Sequence, residues 1–338
     1  MPPVPRGLVY VSDLSRGIRR VRLRVRKDAP ARFHYVGPSG RRIRDARTLA
    51  RIAKLAVPPA YEDVRICTDP RGHLQATGRD ARGRKQYRCH PAFRSARDDH
   101  KHARMLSFGK ALDRLRASVR RDLARPDMPR EKVLALVVKL LDSTQVRVGN
   151  AEYARTNGSF GLTTLRDRHA RFPSRGQALL QFRGKGGADH DVRVNDAKLA
   201  RLVRRCQELP GQALFQYVDD QGGRHAIDSG QVNDYLRERM GEEFTAKDFR
   251  TWHATLSALT LLDKIPVPEK RTEHALRRCI NDVIKDVAAG LRNTPAVYRK
   301  SYINPEVFVA WQNGELRRCT ARRRPAKALL ALLGPRRR

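Results

Sequence analysis

The sequence predicts an α+β protein with a small β-rich N-terminal lobe and a larger, mainly helical second lobe. Three observations predict it. The apolar period lengthens near residue 95 from the alternation of strands to the three- and four-residue steps of helices. Short strand-like runs separated by Gly, Pro and Asp fill the chain before that point. The length of 338 residues, 40% of them hydrophobic, suits two cores of ordinary size.

The first lobe opens with Phe33-His34-Tyr35-Val36 and Arg41 to Arg44 on either side of a Gly37-Pro38-Ser39-Gly40 turn, which reads as a hairpin. A short helix is expected over 46–55, followed by strands near 63–67, 73–78 and 85–89, the last two joined by Asp80-Ala81-Arg82-Gly83. Beyond residue 95, Met105, Phe108, Leu112, Leu115, Val119 and Leu123 form one apolar stripe on a long helix. Further helices are expected at about 130–142, 196–208, 229–240, 246–263 and 269–290, with Thr245-Ala246-Lys247-Asp248 as a capping box for 246–263. One β interruption is expected, Leu179 to Arg183 and His190 to Val194 around Gly184-Lys185-Gly186-Gly187, with Lys185 at the hairpin tip. The expected division is 1–95, a β-rich N-terminal domain, 96–315, a mainly α-helical domain, and a flexible basic tail, 316–338.

Charge narrows the function. With 71 Lys+Arg against 35 Asp+Glu the net charge is +36, and 25 of that surplus lies in residues 16–47, 79–104 and 316–338. Such a surplus repels itself in a compact chain and is tolerated where a polyanion neutralises it, so nucleic acid is the first partner to test and an anionic membrane surface the second. No run approaches the roughly 18 apolar residues that span a bilayer, and no secretory pattern opens the chain, so a soluble intracellular protein is expected. Cys67, Cys89, Cys206, Cys279 and Cys319 include no C-x-x-C pair, so neither a disulfide framework nor a zinc site is indicated, and free thiols are expected.

Several chemistries drop out. There is no G-x-x-x-x-G-K-[ST] loop and no H-E-x-x-H helix, so ATP use and a zinc site are not expected. No compact acid cluster suits paired magnesium ions, and no metal or cofactor is expected. Chemistry on a phosphodiester must then draw its nucleophile, charge stabilisation and leaving-group acid from the protein itself.

Four local patterns could supply those parts. Gln145-Val146-Arg147-Val148-Gly149-Asn150 follows an apolar helix, Lys185 sits on its hairpin, Phe249-Arg250-Thr251-Trp252 begins a helix, and Asn293-Thr294-Pro295 starts nine residues before Tyr302. Alone each is weak, since an arginine in so basic a chain is usually a surface residue. In order, they resemble the small type IB DNA topoisomerases, the poxviral-like kind that also occurs in bacteria, from about residue 8 to 313. Gly78 to Tyr87 looks like that family's strand-turn-strand segment facing DNA. Arg147, Lys185, Arg250 and Tyr302 match its catalytic positions one by one.

The resemblance implies a C-shaped clamp on double-stranded DNA, with 1–95 as a DNA-binding domain and 96–315 as the catalytic domain, acting as a monomer in the cytoplasm at a bacterial nucleoid, without ATP. Tyr302 attacks a backbone phosphorus, Arg147 and Arg250 hold the non-bridging oxygens, and Lys185 protonates the 5′ oxygen. The family's poxviral histidine is Asn293 here, which donates a hydrogen bond but carries no charge. His253 reads as a packing or hydrogen-bonding residue rather than a base. Lys85, Gln86, Tyr87, Asn150 and Tyr153 match positions where the family touches DNA; helical spacing alone reads Tyr153 as core. Two rivals stand beside this reading. A tyrosine recombinase usually carries a histidine three residues before the second arginine, where this chain has Lys247. A non-catalytic basic DNA-binding protein accounts for the charge and leaves the ordered set to coincidence.

Overall fold

The structure, a computed structural model, describes residues 4–12, 14–24, 26, 30–241, 244–291 and 295–335. It separates into two units, residues 1–102 and 103–338.

The first unit is built on strands β1 (Ile18–Arg22) and β2 (Phe33–Val36), helix α1 (Ala46–Lys54), and strands β3 (Glu62–Ile66), β4 (Leu74–Arg79) and β5 (Lys85–Cys89). The strands form one antiparallel sheet in the order β2-β1-β3-β4-β5. Its core joins Ile18, Val64, Ile66 and Ala76 of the sheet to Ile52 of α1. The turn at Gly37–Gly40 forms, but Arg41 to Arg44 is not a strand: it keeps a single bridge, Val36 to Arg42, and β2 pairs instead with β1. In β1 the sequence Ile-Arg-Arg-Val-Arg disguises a strand as a charge run. Arg20 explains how a buried-sheet position accepts that charge, since its guanidinium donates to the carbonyls of Val57, Pro58 and Tyr61 and lies 4.3 Å over the Phe33 ring. Part of the basic surplus in this unit is therefore spent on holding loops.

Helix α2 (Pro91–Leu123) contains the division between the units, and its stripe from Met105 to Leu123 is buried in the second. The second unit continues with α3 (Arg130–Thr144), α4 (Ala151–Asn157), strands β6 (Ala170–Arg171), β7 (Ala178–Arg183) and β8 (Asp189–Val194), α5 (Ala197–Gln207), the small hairpin β9 (Gln216–Val218) and β10 (Arg224–Ala226), α6 (Ser229–Met240), α7 (Ala246–Asp263) and α8 (Glu273–Leu291). Four short helices follow, α9 (Pro295–Ser301), α10 (Glu306–Gln312), α11 (Leu316–Thr320) and α12 (Pro325–Leu333). Helix α3 is apolar nearly all round, from Val133 to Leu141, and forms the centre of the core against α5, α6, α7 and β9. The expected capping contact at α7 is present, Thr245 N–H donating to Asp248 Oδ2 at 2.8 Å.

The tail expected to be flexible contains two helices. Leu316, Ala328 and Leu329 are buried, and α11 and α12 pack on α7 and α10. An ideal Cβ on Gly109 of α2 would stand 2.3 Å from Trp252 of α7 and 2.8 Å from Leu330 of α12, so a missing side chain lets three helices meet there. Among the described residues no helix is long and apolar enough to cross a membrane.

Candidate active site

Helix α3 ends at Gln145, whose left-handed conformation (φ 60°) turns the chain into the Arg147 loop. That loop is clamped by the backbone of 161–163: Leu162 N–H donates to the Arg147 carbonyl at 2.9 Å and Thr163 N–H to the Val148 carbonyl at 2.7 Å. Phe160 N–H continues the tie to the Arg183 carbonyl at the end of β7 (2.8 Å), next to the Lys185 hairpin. The α3–Arg147 segment and β8 also border one hollow of about 260 Å³, lined by Gln145, Val146, His190 and Arg193 among others.

Arg250 projects from the first turns of α7 and is buried. Its Nη1 donates to the Gln145 carbonyl at 2.9 Å and its Nη2 to the Tyr298 hydroxyl at 2.7 Å, while Nε has no hydrogen-bond partner among the described residues. Its guanidinium carbon lies 5.4 Å from the centre of the Tyr302 ring. Tyr302 follows α9, half-buried, and is held to α7 through its backbone. Thr255 of α7 accepts the Asn304 N–H at 3.0 Å, and its hydroxyl stands 3.2 Å from the Tyr302 carbonyl.

Arg147, half-buried, completes the group beside Arg250 and the phenols of Tyr302 and Tyr298. Burial, and then the neighbouring Arg250 charge, hold its guanidinium below the ordinary value, with the two phenols acting the other way; it stays a cation at neutral pH. Among the described residues neither Arg147 nor Arg250 has a carboxylate partner. Two desolvated like charges beside a phenol, with nothing anionic to compensate them, make a receptor for an anion that can spread charge over several oxygens.

A brace lies beside this group. Asp142, on the last turns of α3, takes a bidentate contact from Arg116 of α2 (2.9 and 3.0 Å), and His253 Nε2 of α7 stands 3.3 Å from its Oδ1. Burial alone would raise its pKa, but the His253 and Arg116 contacts outweigh that and hold the carboxyl well below the usual range. His253 thus faces Asp142 without a hydrogen bond to it, and its ring is stacked on Phe249.

The structure therefore brings Arg147, Arg250 and Tyr302 together. Lys185 is exposed at the hairpin tip, in a short 3₁₀ turn where Gly186 and Gly187 take φ of 81° and 82°. Asn293 lies outside the described residues. Of the expected DNA-contacting residues, Lys85 and Tyr87 share a face of β5, with Lys85 Nζ 5.8 Å from the Tyr87 ring centre and the ring 58% exposed. Gln86 points to the other face and donates to Asp80 at 2.9 Å. Asn150 caps α4 by accepting the Tyr153 N–H at 3.1 Å, and Tyr153 is exposed rather than core. Gln145, Gly161, Thr255 and Tyr298 were not foreseen. Only Tyr298 left a signal, a spacing of four from Tyr302, which puts both on one face of a helical turn.

A buried Arg250 and a half-buried Arg147 beside a tyrosine, on a helical unit that follows a small antiparallel-sheet unit, match the class of DNA topoisomerase I. The family described as eukaryotic DNA topoisomerase I, catalytic core, matches residues 90–314, and the N-terminal domain of bacterial DNA topoisomerase IB matches residues 32–80. The chain is 32% identical over 284 residues to DNA topoisomerase 1B of Acanthamoeba polyphaga mimivirus, covering 80% of this chain and 84% of that one. Its identity to DNA topoisomerase 1B of Vaccinia virus (strain Copenhagen) is 23% over 239 residues, 67% of this chain and 68% of that one. The chain belongs to the type IB DNA topoisomerases.

Proposed function

We propose that this topoisomerase relaxes supercoils by cutting one strand of duplex DNA with Tyr302, letting the strand rotate and resealing it, without ATP or an obligatory metal. The phenolic oxygen attacks phosphorus, the P–O5′ bond breaks, and a 3′-phosphotyrosyl enzyme and a 5′ hydroxyl result. Exchange of one phosphodiester for another conserves the bond energy, so resealing is the same step reversed. The observation that carries the reading is the placement of Tyr302 beside the buried Arg250 and the half-buried Arg147, neither of which has a carboxylate partner among the described residues.

The proposed roles follow from charge. Arg147 and Arg250 meet the non-bridging oxygens, whose charge grows in the pentacoordinate transition state. Lys185 gives a proton to the departing 5′ oxygen, which is otherwise a poor leaving group, and Asn293 adds a neutral donor to a phosphate oxygen. Lys85 and Tyr87 on β5, with Tyr153 and the capping residue Asn150 on α4, meet the DNA; Gln86 acts through Asp80. One chain carries the whole set, so the enzyme acts as a monomer, and its substrate places it at the nucleoid in the cytoplasm.

Supercoiled plasmid incubated in EDTA without ATP tests the reading. Relaxed topoisomers and a denaturant-trapped covalent adduct are expected, and Tyr302→Phe should bind DNA yet form no adduct. Strand exchange between specific sites would transfer the assignment to a recombinase, and binding without a change in linking number would leave a DNA-binding protein only.

A further inference from the structure

Tyr298 has no part in that scheme, yet it is fully buried one turn before Tyr302, with the two ring centres 5.1 Å apart. Its hydroxyl is the acceptor for Arg250 Nη2 at 2.7 Å. We infer that Tyr298 is a positioning residue of the cleavage step, its hydroxyl and the Gln145 carbonyl together fixing the plane in which the Arg250 guanidinium receives the scissile phosphate. The inference rests on the proposed cleavage by Tyr302.

A free arginine side chain loses rotamer entropy on being held. Here that loss is taken before DNA arrives, because the two η nitrogens are each bonded to a fixed oxygen, one on the C-cap of α3 and one on α9. The Nε–H has no partner among the described residues, and each η nitrogen retains a second N–H, so donors remain for phosphate.

The identity of the acceptor matters as well. A carboxylate in place of the Tyr298 hydroxyl would hold Arg250 equally well but would cancel its charge and repel the phosphate. A phenol holds without discharging, provided that it stays neutral, and burial pushes the Tyr298 hydroxyl up to about 12, the Arg250 charge opposing. Access separates the two tyrosines. Tyr302 is half-buried and open to a substrate, whereas Tyr298 is enclosed and serves from behind the arginine.

Tyr298→Phe removes one oxygen and keeps the ring in its packing. With a duplex oligonucleotide under single-turnover conditions, cleavage is expected to slow about tenfold, the factor that matches roughly 1.4 kcal/mol for a bond to a charged group. DNA affinity should stay near the wild-type value, because the lost order matters where phosphate charge is developing, and the melting temperature should fall only by what the loss of one buried hydrogen bond entails. The same substitution in an Arg250→Ala background should cost less than about twofold, since it acts through Arg250. A wild-type cleavage rate in Tyr298→Phe overturns the inference, as does an equal loss in both backgrounds, which would mark Tyr298 as packing only. Absence of any adduct from the wild-type chain would overturn the cleavage reading itself, a different result from either.

Discussion

Asp142 is the residue on which the neighbourhood of the arginine pair turns, because it sits at the end of α3, one turn before Gln145 and Arg147, and joins that turn to Arg116 of α2 and His253 of α7. Its carboxyl is held well below the usual range in the folded chain, with burial overcome by the His253 and Arg116 contacts. A carboxylate whose folded pKa is depressed stabilises the fold above its unfolded pKa of about 3.9 and loses that contribution as pH falls through the folded value. Asp142→Asn should therefore cost about 3 kcal/mol at pH 6 in a urea titration. That is the lower end of the range for breaking a buried pair, because the Arg116 side chain keeps 36% of its exposure. The difference between wild type and variant should narrow as the titration is repeated toward pH 3 and below. A gap of constant size across that range would mean the contact acts through shape rather than charge.

At the scale of elements, the Arg147 loop depends on a backbone approach that leaves no room for a side chain. An ideal Cβ on Gly161 would stand 2.6 Å from the Arg147 carbonyl oxygen and 2.6 Å from the Gly149 nitrogen, and both neighbours are backbone. Gly149 itself takes φ of 108°, so the loop cannot yield there without losing its own turn. Gly161→Ala should cost about 1–3 kcal/mol in stability, the range for overpacking. It should also slow single-turnover cleavage at least about tenfold with a smaller effect on DNA affinity, since displacement of a reacting group by an ångström can cost a hundredfold. Cleavage at the wild-type rate would show that the loop tolerates a shift at 161. Such contacts also mark the limit of what the sequence discloses. Helix α7 was legible from end to end because its apolar stripe and its Thr245–Asp248 cap agree, and the β7–β8 hairpin because alternation and a glycine run coincide. Strand β1 was hidden because three of its five residues are arginine and their anchors are carbonyls distant in sequence. Helices α9 to α12 are five to nine residues long, too short to show a period. Arg147, Arg250 and Tyr302 were legible as a pattern, but the oxygens that hold Arg250, on Gln145 and Tyr298, become its neighbours only through folding.

The whole molecule carries +36, and the segment beyond the matched catalytic core contributes nine cations and no acid in residues 316–338. Fold and charge are separable there. Ala328 and Leu329 are fully buried, and α12 packs on α7, the helix that bears Arg250, whereas Arg317, Arg318, Arg322, Arg323, Arg324 and Lys327 are exposed. Deleting the segment would confound the two effects, because it removes cations and uncovers α7 together. Leu329→Ala should lower stability by about 2–5 kcal/mol and leave the salt dependence of DNA binding alone. Replacing Arg317, Arg318, Arg322, Arg324 and Lys327 by glutamine should do the reverse. Arg323 is spared in that variant because it donates to the carbonyls of Arg318 and Cys319 and caps α11. Binding affinity falls with salt at a log-log slope of about −0.9 per neutralised phosphate, so six contacts lose on the order of a thousandfold between 50 and 200 mM. A cationic strip fixed by a packed helix should hold its phosphates at lower entropic cost than a free tail, and the slope of the glutamine variant should become shallower by about 0.9 for each contact removed. A slope equal to that of the wild type, with the melting temperature unchanged, would mean that these arginines face water and that the steering charge resides in the rest of the chain.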